Sequence, residues 1–484
     1  MAAENTAIPE PAGATLAPPA TSVESTLAQA IDAEEARQLM YDLGGRDREL
    51  GAQALGTVLE AQDTRFIPVL LEILRGTQIG MFLGIDSDTT VAALERLSKE
   101  AHGANWAAWV EWYGGTDLAP PEGFIGWKGS LLSFIDPRFA EFLRDGAAST
   151  IRVEEIQWGG VTVDGIPALD QAEMIPAELA DYLLPKEPVF GVAINGDARA
   201  YPLRILDWHE MANDVVGGVP MSLAYCTLCG AAIAYDGKAS DGTTYDFGSS
   251  GFLFRSNKLM YDRQTRTLWN QLTGEPVLGD LVGSGVQLEL LPVVLTSWEA
   301  WLAQHPDTVV LELETGFERF YLPGAAYGHY FSSDETMFPV WQRSEALDDK
   351  DRIYALRVDG TPKAYPLALL VEEQVVNDTV GDTELVLVAT RGRVIVHGTS
   401  LEVGEVIYDS GGEVRAFLSG DENFSPGPTE DLVIDAGGRE WSVTEEGLVS
   451  PDGEIAPRFN GHLSYWFGWF AFFPNTLVYE GSGE

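Results

Sequence analysis

An α+β chain is predicted, with a helical N-terminal region followed by a duplicated, mostly antiparallel β-rich unit. Three observations lead there. Apolar residues recur at helical spacing up to about residue 114, with Leu50, Ala54, Leu55 and Val58 followed by Phe66, Val69, Leu70 and Ile73. A dozen-residue motif, Val192–Leu203, returns as Leu356–Leu367 with the same Tyr-Pro-Leu ending. Short apolar runs beyond it are separated by Asn-Gly and Asp-Gly pairs, which favour tight hairpins.

Each region follows from its residues. Residues 1–26 are rich in Ala, Pro and Thr and read as a disordered lead. Residues 27–115 form the helical region, whose short helix pairs resemble HEAT-type repeats. Gln62-Asp63-Thr64 breaks one pair, and Trp106, Trp109 and Trp112 mark a helical packing face. Pro120-Pro121-Glu122-Gly123 closes it, and residues 116–186 read as a connector with turns at Gly159-Gly160 and Asp164-Gly165. Residues 187–315 hold the first copy of the β-rich unit. Residues 316–349, with Tyr321, Tyr327, Tyr330 and Phe331, link it to a second, decayed copy at 350–480. The copy ends echo one another, with Trp298, Trp301, Pro306 and Thr308 against Trp466, Trp469, Pro474 and Thr476.

Charge narrows the function classes. With 74 acids against 30 bases, the formal net charge is −44. Such a surface repels nucleic acid and anionic lipid, so neither is an expected partner. No run of about 18 apolar residues is present, so no membrane span is expected. The N-terminus has neither a basic start nor an apolar stretch, which as written places the chain in the cytoplasm; a start site further upstream would allow export. The helical region is a surface for a protein partner, and the sequence names no small-molecule ligand.

The duplication works as an internal control. Residues shared by both copies hold the fold, and Tyr-Pro, Asn213-Asp214 and the tryptophans belong to that class. Asn213 and Asp214 are expected to end the short helix and turn the chain. Reactive groups found in one copy only are functional candidates. In register, His209 stands opposite Glu373, Cys226 opposite Thr390 and Cys229 opposite Arg393.

Cys226 and Cys229, the chain's two cysteines, lie in Cys226-Thr227-Leu228-Cys229-Gly230 between two strand-like runs. Strand, turn and strand is the context of a metal knuckle: backbone amides point at the sulfurs, and Gly230 admits a positive φ. A redox C-x-x-C would instead open a helix. His209 supplies a third ligand, so Cys226, Cys229 and His209 form an open three-ligand set for a transition metal, namely zinc, copper or iron. Asp214 or Asp207 would orient the imidazole. Three other readings stand beside it: a reversible dithiol, a catalytic Cys226 with His209 as base, and an inert buried pair. Tyr225 and Trp269-Asn270-Gln271 are candidate ligand-facing residues. Arg255 belongs to a local concentration of basic groups read either as an anion pocket or as ordinary ion pairing.

The ordered set Asp164-Gly165-Ile166-Pro167, Asn195-Gly196-Asp197, Trp208-His209-Glu210, Asn213-Asp214, Tyr225–Gly230, Met260-Tyr261-Asp262 and Leu268-Trp269 resembles the domain-of-unknown-function family numbered 3179. The resemblance is strong over roughly 155–345, and the helical region lies outside it. It implies no settled activity, and members are often exported or membrane-anchored. It centres on the His, the Asn-Asp pair and the first Cys; the second Cys is Thr in some relatives, which favours Cys226. Two functions are therefore expected: a metal-binding or thiol-redox site in the first copy, or a non-enzymatic assembly scaffold with inert cysteines.

Overall fold

The computed structural model describes residues 30–389 and 391–482. The disordered lead expected at 1–26 and the counterpart residue Thr390 lie outside them. Six helices of nine residues or more come first: Ala33–Gly44, Arg48–Ala61, Ile67–Gln78, Ser87–Ser98, Trp106–Gly114 and Phe124–Leu132. The acid-rich composition serves them directly. Asp32, Asp47 and Asp86 each cap a helix by accepting a backbone N–H two or three residues on, at 2.8–2.9 Å, each cap contributing about 1 kcal/mol. Val69, Leu70, Ile73 and Trp109 are fully buried as their spacing predicts, whereas Leu50 is 46% exposed. None of the described helices is long and apolar enough to cross a membrane.

The stretch read as a connector does more than connect. Ile156–Trp158, Leu169–Asp170 and Met174–Pro176 each form the edge strand of one of the three five-stranded sheets of the first β-rich unit. Their two or three residues are too short to carry a sequence period. Lys128, fully buried, anchors the helices to this stretch. Its ammonium pairs with Glu72 at 2.7 Å and donates to the Val153 carbonyl at 3.1 Å.

The two β-rich units share one plan. In the first, a sheet runs Val294–Ser297, Pro188–Ile194, Asp197–Pro202, Val309–Leu311, and then the edge strand Met174–Pro176. In the second the order is His462–Tyr465, Arg352–Val358, Thr361–Pro366, Leu477–Val478. Asp197–Pro202 pairs with Val309–Leu311, and Thr361–Pro366 with Leu477–Val478, in parallel in both units. The hairpin turns match as well: Asn195-Gly196 and Asp359-Gly360 all take positive φ, the two-residue turn the sequence signals.

Asn213 and Asp214 do not end the helix. Leu203–His209 is closed by Glu210 in the left-handed region (φ 54°), and the Asn-Asp pair lies inside the strand Met211–Val216. There the side chains link layers. Asn213 donates to the Phe247 carbonyl and accepts from its N–H (2.8 and 3.3 Å), and Asn377 does the same with Phe424 (2.8 and 2.8 Å). Asp214 accepts from Tyr201 at 2.6 Å as Asp378 does from Tyr365 at 2.7 Å. Trp269 donates to Asp262 at 2.8 Å as Trp441 does to Asp435 at 2.9 Å. The Asn213 and Asn377 bonds span 34 and 47 residues, so local turn preference loses to the need to satisfy buried polar groups.

Besides the first unit's added edge strands and the merging of the second unit's later strands into one eight-stranded sheet, the plans part at the cysteine turn. After Val219–Cys226 the first unit turns through Thr227–Gly230 into Ala231–Asp236. After Thr383–Val388 the second inserts a hairpin, Arg393–Ser400 and Gly404–Gly412, before the equivalent strand Arg415–Leu418. The gap-free register that set Cys229 opposite Arg393 is therefore corrected: Arg393 opens an insertion. This hairpin folds back towards the first unit. Thr399 donates to the Pro323 carbonyl (2.9 Å) and Leu401 to that of Ala325 (3.3 Å). Val396, Val406 and Tyr408 join the core that holds both cysteines.

Candidate thiol site

The cysteine turn is strand–turn–strand, as its residues suggest, and Gly230 adopts φ 60°. A Cβ at Gly230 would be crowded, with Arg352 Nη1 and the Tyr465 ring 3.0 and 3.2 Å from it. Cys226 and Cys229 are buried reduced thiols 3.6 Å apart. The second unit grips the turn directly. The Tyr465 N–H donates to the Cys229 carbonyl at 2.7 Å, and Gly468 packs on the Cys229 side chain so closely that a Cβ would sit 2.9 Å from Sγ.

The two sulfurs differ in their electrostatics. Burial raises both thiols, but Cys226 receives hydrogen bonds from the Cys229 thiol and from the backbone N–H groups of Lys258 and Cys229, and it is brought below the ordinary thiol value. Cys229 is pushed well above that value by burial and by the neighbouring sulfur. The Cys229 thiol has a second acceptor in reach, the Ser256 carbonyl at 3.3 Å. These hydrogen bonds favour the thiolate at Cys226 over Cys229.

A buried polar cluster surrounds the pair. Lys258 reaches the Glu210 carboxylate and the Glu210 carbonyl, both at 3.2 Å. Thr227 donates to the same carboxylate at 2.9 Å. Asp207 is fully buried with Oδ1 lacking a partner; burial and the nearby Glu210 and Glu187 carboxylates raise its carboxyl well above the usual range. In the register of the duplication Asp207 and Glu210 stand opposite Val371 and Gln374. Sequence reasoning weighed Asp207 only as support for the imidazole, and it missed Glu210 and Lys258 as site residues. Their asymmetry between the copies was the available signal.

The expected ligand set divides. His209 is buried, but its Nδ1 lies 2.8 Å from the Pro167 carbonyl and its Nε2 2.6 Å from the Tyr321 hydroxyl. The carbonyl can only accept, so Nδ1 carries the proton and Nε2 accepts from Tyr321. Burial pushes this imidazole down to about 4, so it is neutral at pH 7. Both nitrogens are engaged away from the sulfurs, which leaves Cys226 without the imidazole base the sequence suggested. Among the described residues, no group of three or more His, Cys, Asp or Glu side chains is placed to hold a metal ion. Two thiols without a third donor do not fit the zinc, copper or iron site expected from sequence.

The remaining candidates make contacts within the fold. Asn213, Asp214 and Trp269 are the duplicated links already described. Tyr225 packs on Phe190 with ring centroids 5.1 Å apart. Asn270 accepts from the Leu272 N–H at 2.8 Å and shapes a turn. Arg255 pairs with Glu155 at 2.6 Å and bonds the Ala471 carbonyl, so ordinary pairing describes it.

The sequence model of one protein family, described as protein of unknown function (DUF3179), matches residues 163–476, well over half of the chain. The chain belongs to the DUF3179 family. The match runs through both β-rich units, so the second unit is part of the DUF3179 architecture and not an appendage to it. Comparison with curated proteins and with solved structures gives no match.

Proposed function

We propose that this DUF3179 protein carries a thiol-redox centre in which Cys226 is the reacting thiolate and Cys229 its hydrogen-bond donor and disulfide partner. The observation that carries the reading is the placement of two buried thiols 3.6 Å apart on one strand–turn–strand, with hydrogen-bond donors gathered on Cys226. Burial alone would raise both groups, so the donors around Cys226 outweigh desolvation. The reaction is exchange with a small disulfide. Cys226 attacks one sulfur of the substrate, its S–S bond breaks, and one thiolate leaves. Cys229 then attacks Cys226, releases the second thiol, and closes the protein disulfide, with two electrons passed to the substrate. A Thr at position 229 would keep the donor and lose the resolving sulfur.

The test is a redox titration of the full chain in reduced and oxidised glutathione, followed by thiol alkylation and intact mass. The expected result is a reversible loss of two protons' mass, absent in C226S and replaced by a trapped mixed disulfide in C229S. Thiols that stay reduced at every ratio, in chain that remains folded, would overturn the reading.

A further inference from the structure

The cysteine turn backs onto a cavity of about 660 Å³ lined by Lys350, Arg352, Arg393 and Tyr465, with Asp334, Asp351, Asp409 and Glu480 also on its walls. Its volume falls in the range of small-molecule sites. Two of its cations lack carboxylate partners. Lys350 is held by the Tyr330 and Ser333 carbonyls and lies 3.8 Å over the Tyr330 ring. Arg352 donates to the Asp409 carbonyl (2.8 Å) and the Tyr465 hydroxyl (3.0 Å). Among the described residues neither has a carboxylate at ion-pair distance, in a chain with 74 acids. Desolvation and the adjacent Arg352 push Lys350 down to about 8, with Asp334 acting weakly the other way. Lys350 and Arg352 thus present their charge to the cavity without a direct carboxylate contact of their own, on walls that also carry acidic side chains. Arg393, by contrast, is paired with Asp409.

The cavity is one residue layer from the sulfurs. Arg352 and Tyr465 pack on Gly230, and Tyr330 sends its hydroxyl to the Leu228 carbonyl at 2.6 Å. Tyr330 is also close enough to both sulfurs to feel their charge. Asp334, Asp351, Asp409 and Glu480 on the same walls supply carboxylates that a positive group of the ligand could meet.

We propose that this cavity binds a zwitterionic low-molecular-weight thiol or its disulfide, an amino-acid or short-peptide derivative whose carboxylate lies against Lys350 and Arg352. The inference rests on the thiol-redox reading for the fate of the ligand's sulfur, and on the cavity alone for binding. Exchange then follows the steps already given, with the Tyr330 and Tyr465 rings parting to admit the disulfide.

The experiment is calorimetric titration of the full chain with S-methylglutathione, which binds without reacting. Wild type and C226S should bind equally. K350Q should bind at least tenfold more weakly, and A368W, which fills the cavity from an exposed position on its wall, should not bind. No binding by folded wild type, or equal affinity in wild type and both cavity variants, would overturn the proposal. A parallel incubation with glutathione disulfide separates the two readings. Cavity-dependent binding with unmodified Cys226 sinks the redox reading and keeps this one. Oxidation at the same rate in wild type, K350Q and A368W sinks this one alone.

Discussion

The two β-rich units share the strand order of their first sheet and the same polar links, yet they differ at the cysteine turn. In the first, four residues carry two thiols over a buried Glu–Lys pair. In the second, the same point opens into a hairpin that sends its Val396, Val406 and Tyr408 into the core that holds those thiols. The difference teaches that one copy keeps the reactive groups while the other has become their cover. The links common to both belong to folding, and what is confined to one belongs to chemistry or to its enclosure.

The sharpest way to break this comparison is the Lys258–Glu210 pair, which the second unit lacks. K258M leaves a buried carboxylate without its cation and should cost about 3–5 kcal/mol in denaturant unfolding. E210Q together with K258M should recover most of that loss. A loss under about 1 kcal/mol in the single variant would mean that water already reaches Glu210. The Asn links come next. N213A and N377A should each destabilise by about 1–3 kcal/mol. The first should lose more, because Asn213 also bonds Asp170 (2.7 Å) and Ser222 (2.8 Å). Equal or reversed losses would deny that the first unit is the more tightly tied.

Proton linkage treats the units alike in one respect and apart in another. His209 in the first and His462 in the second are both pushed down to about 4 by burial. The unfolded chain therefore binds more protons between the ordinary imidazole value of 6.5 and about 4. Stability should fall with pH across that window, by about 1.4 kcal/mol per pH unit for each imidazole. Replacing His462 with Gln should flatten the slope by about 1.4 kcal/mol per pH unit, measured as unfolding midpoint against pH. Asp207 has the opposite sign. Its folded carboxyl is raised, so its contribution is fully present below the ordinary value of 3.8 and lost as pH rises. D207V, which installs the second unit's residue, should raise stability at pH 7 by about 1 kcal/mol and by less at pH 4. A variant less stable at pH 7 would show that the ionised carboxylate is wanted where it lies.

Much of the fold was legible because the duplication exposes its own register, and because Asn-Gly and Asp-Gly fix hairpins locally. The positive φ of Gly230 and the strand–turn–strand around the cysteines followed from five residues. The partner of His209 did not. Helical spacing puts its imidazole at the end of a seven-residue helix, but the Tyr321 hydroxyl that claims it comes from a segment more than a hundred residues later. The insertion in the second unit was hidden because a register read without gaps still pairs every residue with something. Glu210 and Lys258 escaped because each looks like an ordinary surface charge until both are seen buried.

The most direct test is the ionisation of Cys226 itself, read as thiolate absorbance of wild type minus C226S against pH. A midpoint below the ordinary thiol value of 9.0, moving upward when Cys229 is replaced by Ala, is the predicted result. A midpoint at or above that value in folded wild-type protein, unmoved by C229A, would contradict the assignment of Cys226 as a stabilised thiolate.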